Sequence, residues 1–212
     1  QILLHVQLAA AGAFHSGLAW FRKGGKYGFV NFDGDIAIVA SFERVRDFHG
    51  GLCAVVSDKL YGYIDTTGKW VIPPQFADAL DFSGGLAPVR SESRWGFVDT
   101  SGKFVVPPQF EGATVFSESL AGVKANGLWG YIDATGVFAI DAKYESARAF
   151  ENSGAVVQQG GKYGVIDTDG DWLAKPRFDR IEQFVGGLAK FKADSRGRKV
   201  EGYMDRKGKV YY

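Results

Sequence analysis

WGFVD, at residues 95–99, is the clearest copy of a pattern that returns along this 212-residue chain every 34 residues. The other copies are YGFVN at 27–31, YGYID at 61–65, WGYID at 129–133, YGVID at 163–167 and, four residues late, GYMD at 202–205. A fixed period with constant spacing indicates one structural repeat copied six times. Architecture is therefore the first thing that this sequence predicts.

Aromatic residues keep the same period in two further columns. The first column, which marks the start of each repeat, consists of Phe14, Phe48, Phe82, Phe116, Phe150 and Phe184. The second consists of Phe42, Phe76, Phe110, Tyr144 and Phe178. The chain also contains 29 glycines, and each glycine inside a helix costs about 1 kcal/mol relative to alanine. Apolar residues alternate with a period of two, so the pattern predicts strands and excludes a helical repeat.

Each repeat is predicted to contain three strands, which in the third repeat cover residues 86–90, 95–99 and 103–106. Asp99 and Gly102 bound the turn between the last two strands, because aspartate accepts backbone N–H bonds and glycine adopts a positive φ. A proline pair such as 107–108 is expected to end the third strand, since proline cannot donate to the ladder. The spacing of Phe76, Ala79 and Phe82 predicts an irregular or 3₁₀ turn between repeats.

The first residues repeat the pattern of a third strand, because Ile2-Leu3-Leu4 aligns with Ile36-Ala37-Ile38. We therefore predict one all-β domain over residues 1–212, with six 34-residue three-stranded antiparallel repeats in a propeller-like closed ring whose N-terminal strand completes the last repeat. An open β-solenoid array is the alternative, although it requires polar caps that neither end shows. Residues 2–11 lack the charged leader of a signal peptide and fit the repeat, so they are expected to be folded.

The motifs of the third repeat, in order, resemble a known family. GLAPV at 85–89, WGFVD at 95–99, Gly102-Lys103 and VVPPQF at 105–110 are similar to the bacterial WG repeat, also called the KWG repeat. The resemblance covers essentially the whole chain. It departs from the pattern at Val39-Ala40, Asp141-Ala142 and Glu201. The resemblance implies a β-rich module of bacterial proteins without catalytic residues of its own, and it leaves both the cytoplasm and the cell envelope open.

Few residues point to chemistry. The composition is 46% hydrophobic with a net charge of +1, and no apolar stretch is long enough for a membrane-spanning helix. The single cysteine, Cys53, occupies a column that is otherwise alanine, which predicts a small buried residue. His15 and His49 share a column, but no third ligand has a predictable place beside them. The sequence therefore predicts no catalytic residue, no cofactor, no metal and no membrane insertion.

Two rows of like residues have both a structural and a functional interpretation. The row Asn31, Asp65, Asp99, Asp133, Asp167 and Asp205 suits a ring of cation ligands, yet turn capping explains every member. The aromatic residues before the repeated glycine suit a platform for sugars or bases, yet core packing explains them as well. These aromatic residues are Tyr27, Tyr61, Trp95, Trp129 and Tyr163.

Charge distinguishes the last repeat from the others. Residues 186–212 carry eight Lys or Arg against three Asp or Glu, which favours an anionic partner. The predicted binding residues are Arg196, Arg198, Lys199, Lys190 and Lys192. Because rim loops vary while the repeats stay rigid, we predict a non-enzymatic scaffold that binds another protein. The alternative is a module that binds a small anionic ligand, a glycan or a phosphorylated ligand through the basic loop and an aromatic face. Nucleic acid is not expected, because the basic region is short.

Overall fold

A computed structural model describes residues 10–195 and 197–212 of the chain. Ile2-Leu3-Leu4, which we expect to complete the last repeat, and Arg196 lie outside the described residues. The described part is all-β and built from antiparallel sheets. Within it, no helix has the length and apolar character needed to cross a membrane. It forms two compact units, one ending at Gln109 and the other beginning at Phe110.

The N-terminal unit contains three four-stranded sheets. The strands of the first sheet are β1 Ala10–His15, β2 Leu18–Lys23, β3 Lys26–Val30 and β4 Ile36–Phe42. Those of the second are β5 Arg44–Val45, β6 Leu52–Ser57, β7 Leu60–Asp65 and β8 Trp70–Phe76. Those of the third are β9 Asp78–Ala79, β10 Leu86–Ser91, β11 Arg94–Asp99 and β12 Phe104–Phe110.

The C-terminal unit contains a four-stranded and a seven-stranded sheet. The first has β13 Gly112–Ala113, β14 Ala121–Ala125, β15 Leu128–Ile132 and β16 Phe138–Tyr144. The second has β17 Ser146–Ala147, β18 Ala155–Gln159, β19 Lys162–Ile166, β20 Trp172–Ile181, β21 Leu188–Ser195, β22 Arg198–Asp205 and β23 Val210–Tyr211. Seven strands arise because β20 pairs with β19 on one side and with β21 on the other.

The structure corrects the three-strand repeat in two respects. A two-residue strand such as Asp78–Ala79 precedes the hairpin of each of the second to fifth repeats and pairs with its first strand, where we expected an irregular or 3₁₀ turn. The third strand also continues through the prolines instead of ending at them, as Trp70–Phe76 shows. Tyr61 pairs with Phe76 and Tyr63 with Ile72, so β8 has two extra residues between its paired positions. The prolines occupy this bulge, where the backbone is not paired with the neighbouring strand. Their lack of an N–H group therefore removes no hydrogen bond between strands.

The bulge explains why glycine follows the aromatic residue in each repeat. A Cβ atom added at Gly62 would lie 2.5 Å from the Ile72 carbonyl oxygen and 2.8 Å from Pro74 N. The same approach to backbone atoms occurs at Gly28, Gly96, Gly130 and Gly164. The glycine therefore accommodates the backbone of the bulged strand beside it.

Neighbouring sheets within each unit share their core residues. Phe29, Ile38 and Cys53 belong to one cluster that joins the first two sheets. In the C-terminal unit, Tyr131 and Phe150 belong to another such cluster, with ring centroids 4.7 Å apart. The second aromatic column is buried throughout. Each sheet therefore depends on its neighbour for burial of its apolar face.

Aspartate holds the turn between the last two strands of a repeat. Asp99 Oδ1 accepts hydrogen bonds from the backbone N–H of Ser101 at 2.9 Å, from the Ser101 hydroxyl at 2.6 Å and from Lys103 N at 3.1 Å. The Ser101 hydroxyl is the main reason that the pKa of Asp99 is lowered. Gly102 ends the turn with a φ of 86°, and Asn31 accepts the equivalent backbone bonds in the first repeat. This geometry supports turn capping as the role of the aspartate or asparagine at the start of this turn in each repeat.

Candidate functional site

The most individual surface of the chain is the hairpin formed by β21 and β22, which we call the long hairpin (residues 188–205). Its strands have eight residues each, whereas the corresponding strands of the other repeats have five or six. Pairing continues through Asp194 with Lys199 to Ser195 with Arg198. In the other repeats the turn comes two residue pairs earlier. With a rise of about 3.3 Å per residue, the long hairpin reaches about 7 Å further out.

The two faces of the long hairpin differ in chemistry. Ala189, Phe191, Ala193 and Met204 are buried in one cluster with residues of β18, β19 and β20. The opposite face has three cross-strand pairs, which are Lys190 with Tyr203, Lys192 with Glu201, and Asp194 with Lys199. Alternation between a core face and a solvent face thus places charged residues in a row at the outer surface.

Glu201 organises the basic side chains at the centre of this row. Its carboxylate oxygens lie 2.9 Å from Lys190 Nζ and 2.7 Å from Lys192 Nζ. Hydrogen bonds from Lys192 and then Lys190 lower the pKa of Glu201 to about 2, and the bond to Glu201 raises the pKa of Lys190. One carboxylate therefore holds two lysines in place, and both lysines are already paired.

A cleft of about 460 Å³ lies beside the tip of the long hairpin. Its charged residues are Lys162, Lys192, Lys199, Asp179, Asp194 and Glu201. Lys162 forms an ion pair with Asp179 across the two strands that precede the hairpin. Three basic and three acidic groups line this space, so the cleft has little net charge. It suits a partner with alternating charges better than a simple anion.

The structure places four of the five predicted binding residues on the long hairpin. Lys190 and Lys192 share one carboxylate, Lys199 reaches the cleft, and Arg198 is exposed at the start of β22. Sequence reasoning missed Glu201 as the partner of both lysines. Its signal is the period-two alternation across a hairpin, which applies only once the turn is placed two residues later than in the other repeats.

The histidine pair lies close together without forming a metal centre. The rings of His15 and His49 have centroids 5.7 Å apart. His15 Nε2 lies 3.6 Å from an Asp47 carboxylate oxygen, and His49 Nδ1 lies 3.8 Å from one of Asp81. No group of three or more His, Cys, Asp or Glu is arranged to hold a metal ion within residues 10–195 and 197–212.

Cys53 lies in the core, in agreement with its alanine column. The side chain is fully buried, and its thiol donates to the Arg46 carbonyl oxygen at 3.1 Å. Burial raises the pKa of the thiol, so the nucleophilic thiolate is disfavoured. The thiol thus acts as a small core residue.

The matches to a known family recur along the chain with the repeat. A family model described as WG containing repeat matches residues 2–27, 27–61, 61–94, 95–129, 129–163 and 163–196. No curated protein matches the sequence. The structure is similar to that of Hsv2p from Kluyveromyces lactis, with 14% identity and a TM-score of 0.55 over 89% of this chain and 71% of that chain.

A second similar structure is the extracellular domain of the putative hybrid two component system BT4673 from B. thetaiotaomicron. Identity is 11% and the TM-score is 0.50, over 97% of this chain and 36% of that chain. At such low identity, both likenesses concern the propeller-like all-β fold alone. The family model, in contrast, matches almost the whole sequence, and the chain therefore belongs to the WG containing repeat family.

Proposed function

We propose that this chain is a non-enzymatic scaffold that binds another protein through the variable loops at its rim. The long hairpin is the principal contact. The observation that supports this most strongly is its extension by two residue pairs beyond the common repeat, with an outer face of charged residues. Asp194, Arg198 and Lys199 of the extension are exposed, so these residues add nothing to the core.

The alternating charges of the long hairpin indicate the chemistry of the partner. Lys190, Lys192 and Glu201 form a fixed pattern of both signs on the outer face. A folded protein surface with complementary charges matches such a pattern, and charge complementarity gives specificity and faster association. A simple anion must compete with Glu201 for the two lysines, which makes the basic loop a poorer receptor for a small ligand.

Shortening the long hairpin tests the proposal. Replacing residues 194–199 by Gly-Gly gives it the two-residue turn that Gly160 and Gly161 form in the preceding repeat. The fold is expected to survive, because the pairing between Ala193 and Val200 is kept. In pull-downs from the native cell, we expect the shortened variant to capture at least tenfold less partner than the unaltered chain. Quantitative mass spectrometry measures the captured amount.

A matched control changes a turn of ordinary length. Replacing Asp58 and Lys59 by Gly-Gly preserves the positive φ angles of 52° and 67° at these positions. This variant is expected to capture the partner as the unaltered chain does. Equal capture by the shortened long hairpin, or equal loss in the control, would contradict the assignment of the long hairpin.

We also propose that the six repeats close into a ring. The support is the repeat register, in which Ile2-Leu3-Leu4 corresponds to the third strand of a repeat. A compact domain of this length has a radius of gyration of about 17 Å, whereas an open array is longer and gives a larger value. Small-angle X-ray scattering separates the two arrangements, and a clearly larger radius would contradict the ring.

A further inference from the structure

A second cleft, in the N-terminal unit, differs from the first in its chemistry. It has a volume of about 420 Å³ and is lined by Trp20, Tyr27, Arg44, Val45, Arg46 and Tyr61. We call it the aromatic cleft. Three aromatic rings and two guanidinium groups thus face one space, and its volume lies in the usual range for small-molecule sites.

The position of Trp20 is fixed by the strand next to it. Gly12 lies directly beside the indole, and a Cβ atom at position 12 would overlap the indole ring. Trp20 also packs edge-on against Tyr27, with ring centroids 5.6 Å apart. The aromatic wall of the cleft is therefore positioned by packing before any ligand arrives.

The cleft has a positive charge that its own lining does not neutralise. Arg44 is exposed and Arg46 is half-buried, and no acidic residue lines the space. Arg22 is not part of the lining, but its guanidinium lies 5.7 Å from the centre of the Tyr27 ring. Asp81, which does not line the cleft, interacts electrostatically with Arg46. Two arginines and no carboxylate thus line the cleft.

Arg46 carries a polar atom that the chain leaves unsatisfied. Its Nε atom is buried and has no hydrogen-bond partner among the described residues. A buried N–H without a partner costs free energy comparable to a lost hydrogen bond. The side chain of Arg46 is therefore incompletely paired within the described part of the chain.

The combination is confined to the first repeat. The residues 34 positions later than Trp20, Arg44 and Arg46 are Ala54, Asp78 and Leu80. The second repeat forms the same strands with these residues. Folding therefore does not require a tryptophan and two arginines at these positions, and their presence together needs another reason.

We propose that the aromatic cleft binds a small aromatic anion of the nucleoside-monophosphate class. The planar ring packs against Trp20 and the tyrosines, since aromatic rings attract one another in offset or edge-on geometry. Arg44 and Arg46 hold the phosphate, because the guanidinium fork matches phosphate oxygens. The aromatic cleft shares no residue with the long hairpin, so the proposal does not depend on the scaffold function.

Calorimetric titration of the full chain with adenosine monophosphate tests the proposal. Saturable binding is expected, with at least tenfold weaker binding of adenosine and of inorganic phosphate, because each lacks half of the recognised groups. Absence of saturable binding to adenosine monophosphate at millimolar concentration would overturn the proposal. So would equal affinity for phosphate alone, since the aromatic wall would then have no role.

Variants locate the site by borrowing residues from the second repeat. Arg44→Asp and Arg46→Leu introduce the residues found at 78 and 80, and each is expected to weaken binding at least tenfold. Trp20→Ala is also expected to weaken binding of adenosine monophosphate at least tenfold. If this variant fails to fold, Arg44→Asp still tests the proposal, because Arg44 is exposed. The matched control is Arg180→Asp, which changes the corresponding column in the fifth repeat, where Val156 replaces the tryptophan.

The outcomes separate this site from the long hairpin. The variant with the shortened long hairpin is expected to bind adenosine monophosphate unchanged. Unaltered binding by Arg44→Asp, or equal weakening by Arg180→Asp and Arg44→Asp, would show that the aromatic cleft is not the site. Loss of nucleotide binding in the hairpin variant would likewise overturn the proposal.

Discussion

Replacing Gly96 with alanine is expected to lower the free energy of unfolding by about 3 kcal/mol, the upper end of the cost of overpacking. The added Cβ would lie 2.6 Å from the Val106 carbonyl oxygen and 2.8 Å from Pro108 N. Both are backbone atoms of the bulged strand, so no side-chain rotation relieves the overlap. Urea unfolding followed by tryptophan fluorescence measures the change.

Gly154 provides the matched control. A Cβ atom there would meet its nearest neighbour, a Val165 methyl group, at 3.4 Å, and leucine occupies the same column in the other repeats. Gly154→Ala is therefore expected to change stability by less than about 1 kcal/mol. A similar loss from both variants would show that backbone proximity is not the reason for glycine in the repeated motif.

Replacing Phe150 with alanine is expected to cost about 3–5 kcal/mol, the range for truncating a fully buried phenylalanine. The side chain is 0% exposed and contacts Tyr131 within the cluster that joins two sheets of the C-terminal unit. Truncation leaves a cavity in the surface on which one sheet packs against the next. Urea unfolding monitored by circular dichroism measures the loss.

Phe14 is the comparison within the same aromatic column. It is half-buried and stacks on Phe32, which is itself 61% exposed. Phe14→Ala is therefore expected to cost clearly less than Phe150→Ala, because less apolar surface returns to water. Equal losses from the two truncations would argue against a burial-dependent role for this column.

Much of the fold was predictable from the sequence because the repeat multiplies weak local signals. The strands around Trp95, the turn of Asp99 and Gly102 and the two aromatic columns all follow from residue patterns that recur at fixed spacing. The short first strand was missed because two residues, such as Asp78–Ala79, show no alternation. The course of the strand through Pro73 was missed because a bulge depends on pairing with another strand.

The candidate sites were less predictable, because their residues meet only after folding. Trp20 and Tyr61 line one cleft although 41 positions separate them in the sequence. The pairing of Lys190 and Lys192 with Glu201 depends on the register of an enlarged hairpin. Charge counting along residues 186–212 therefore identified the region but did not reveal that its lysines are paired.

Strand β20 also has a thermodynamic consequence. Phe178 at its centre is paired on both edges, with Tyr163 on one side and Ala193 on the other. If unfolding begins at Tyr211 and reaches β21, β20 loses the backbone hydrogen bonds that it makes with β21. Its pairing with β19 is then destabilised as well. The last two repeats should consequently melt in concert, as a single foldon whose amide protons exchange together.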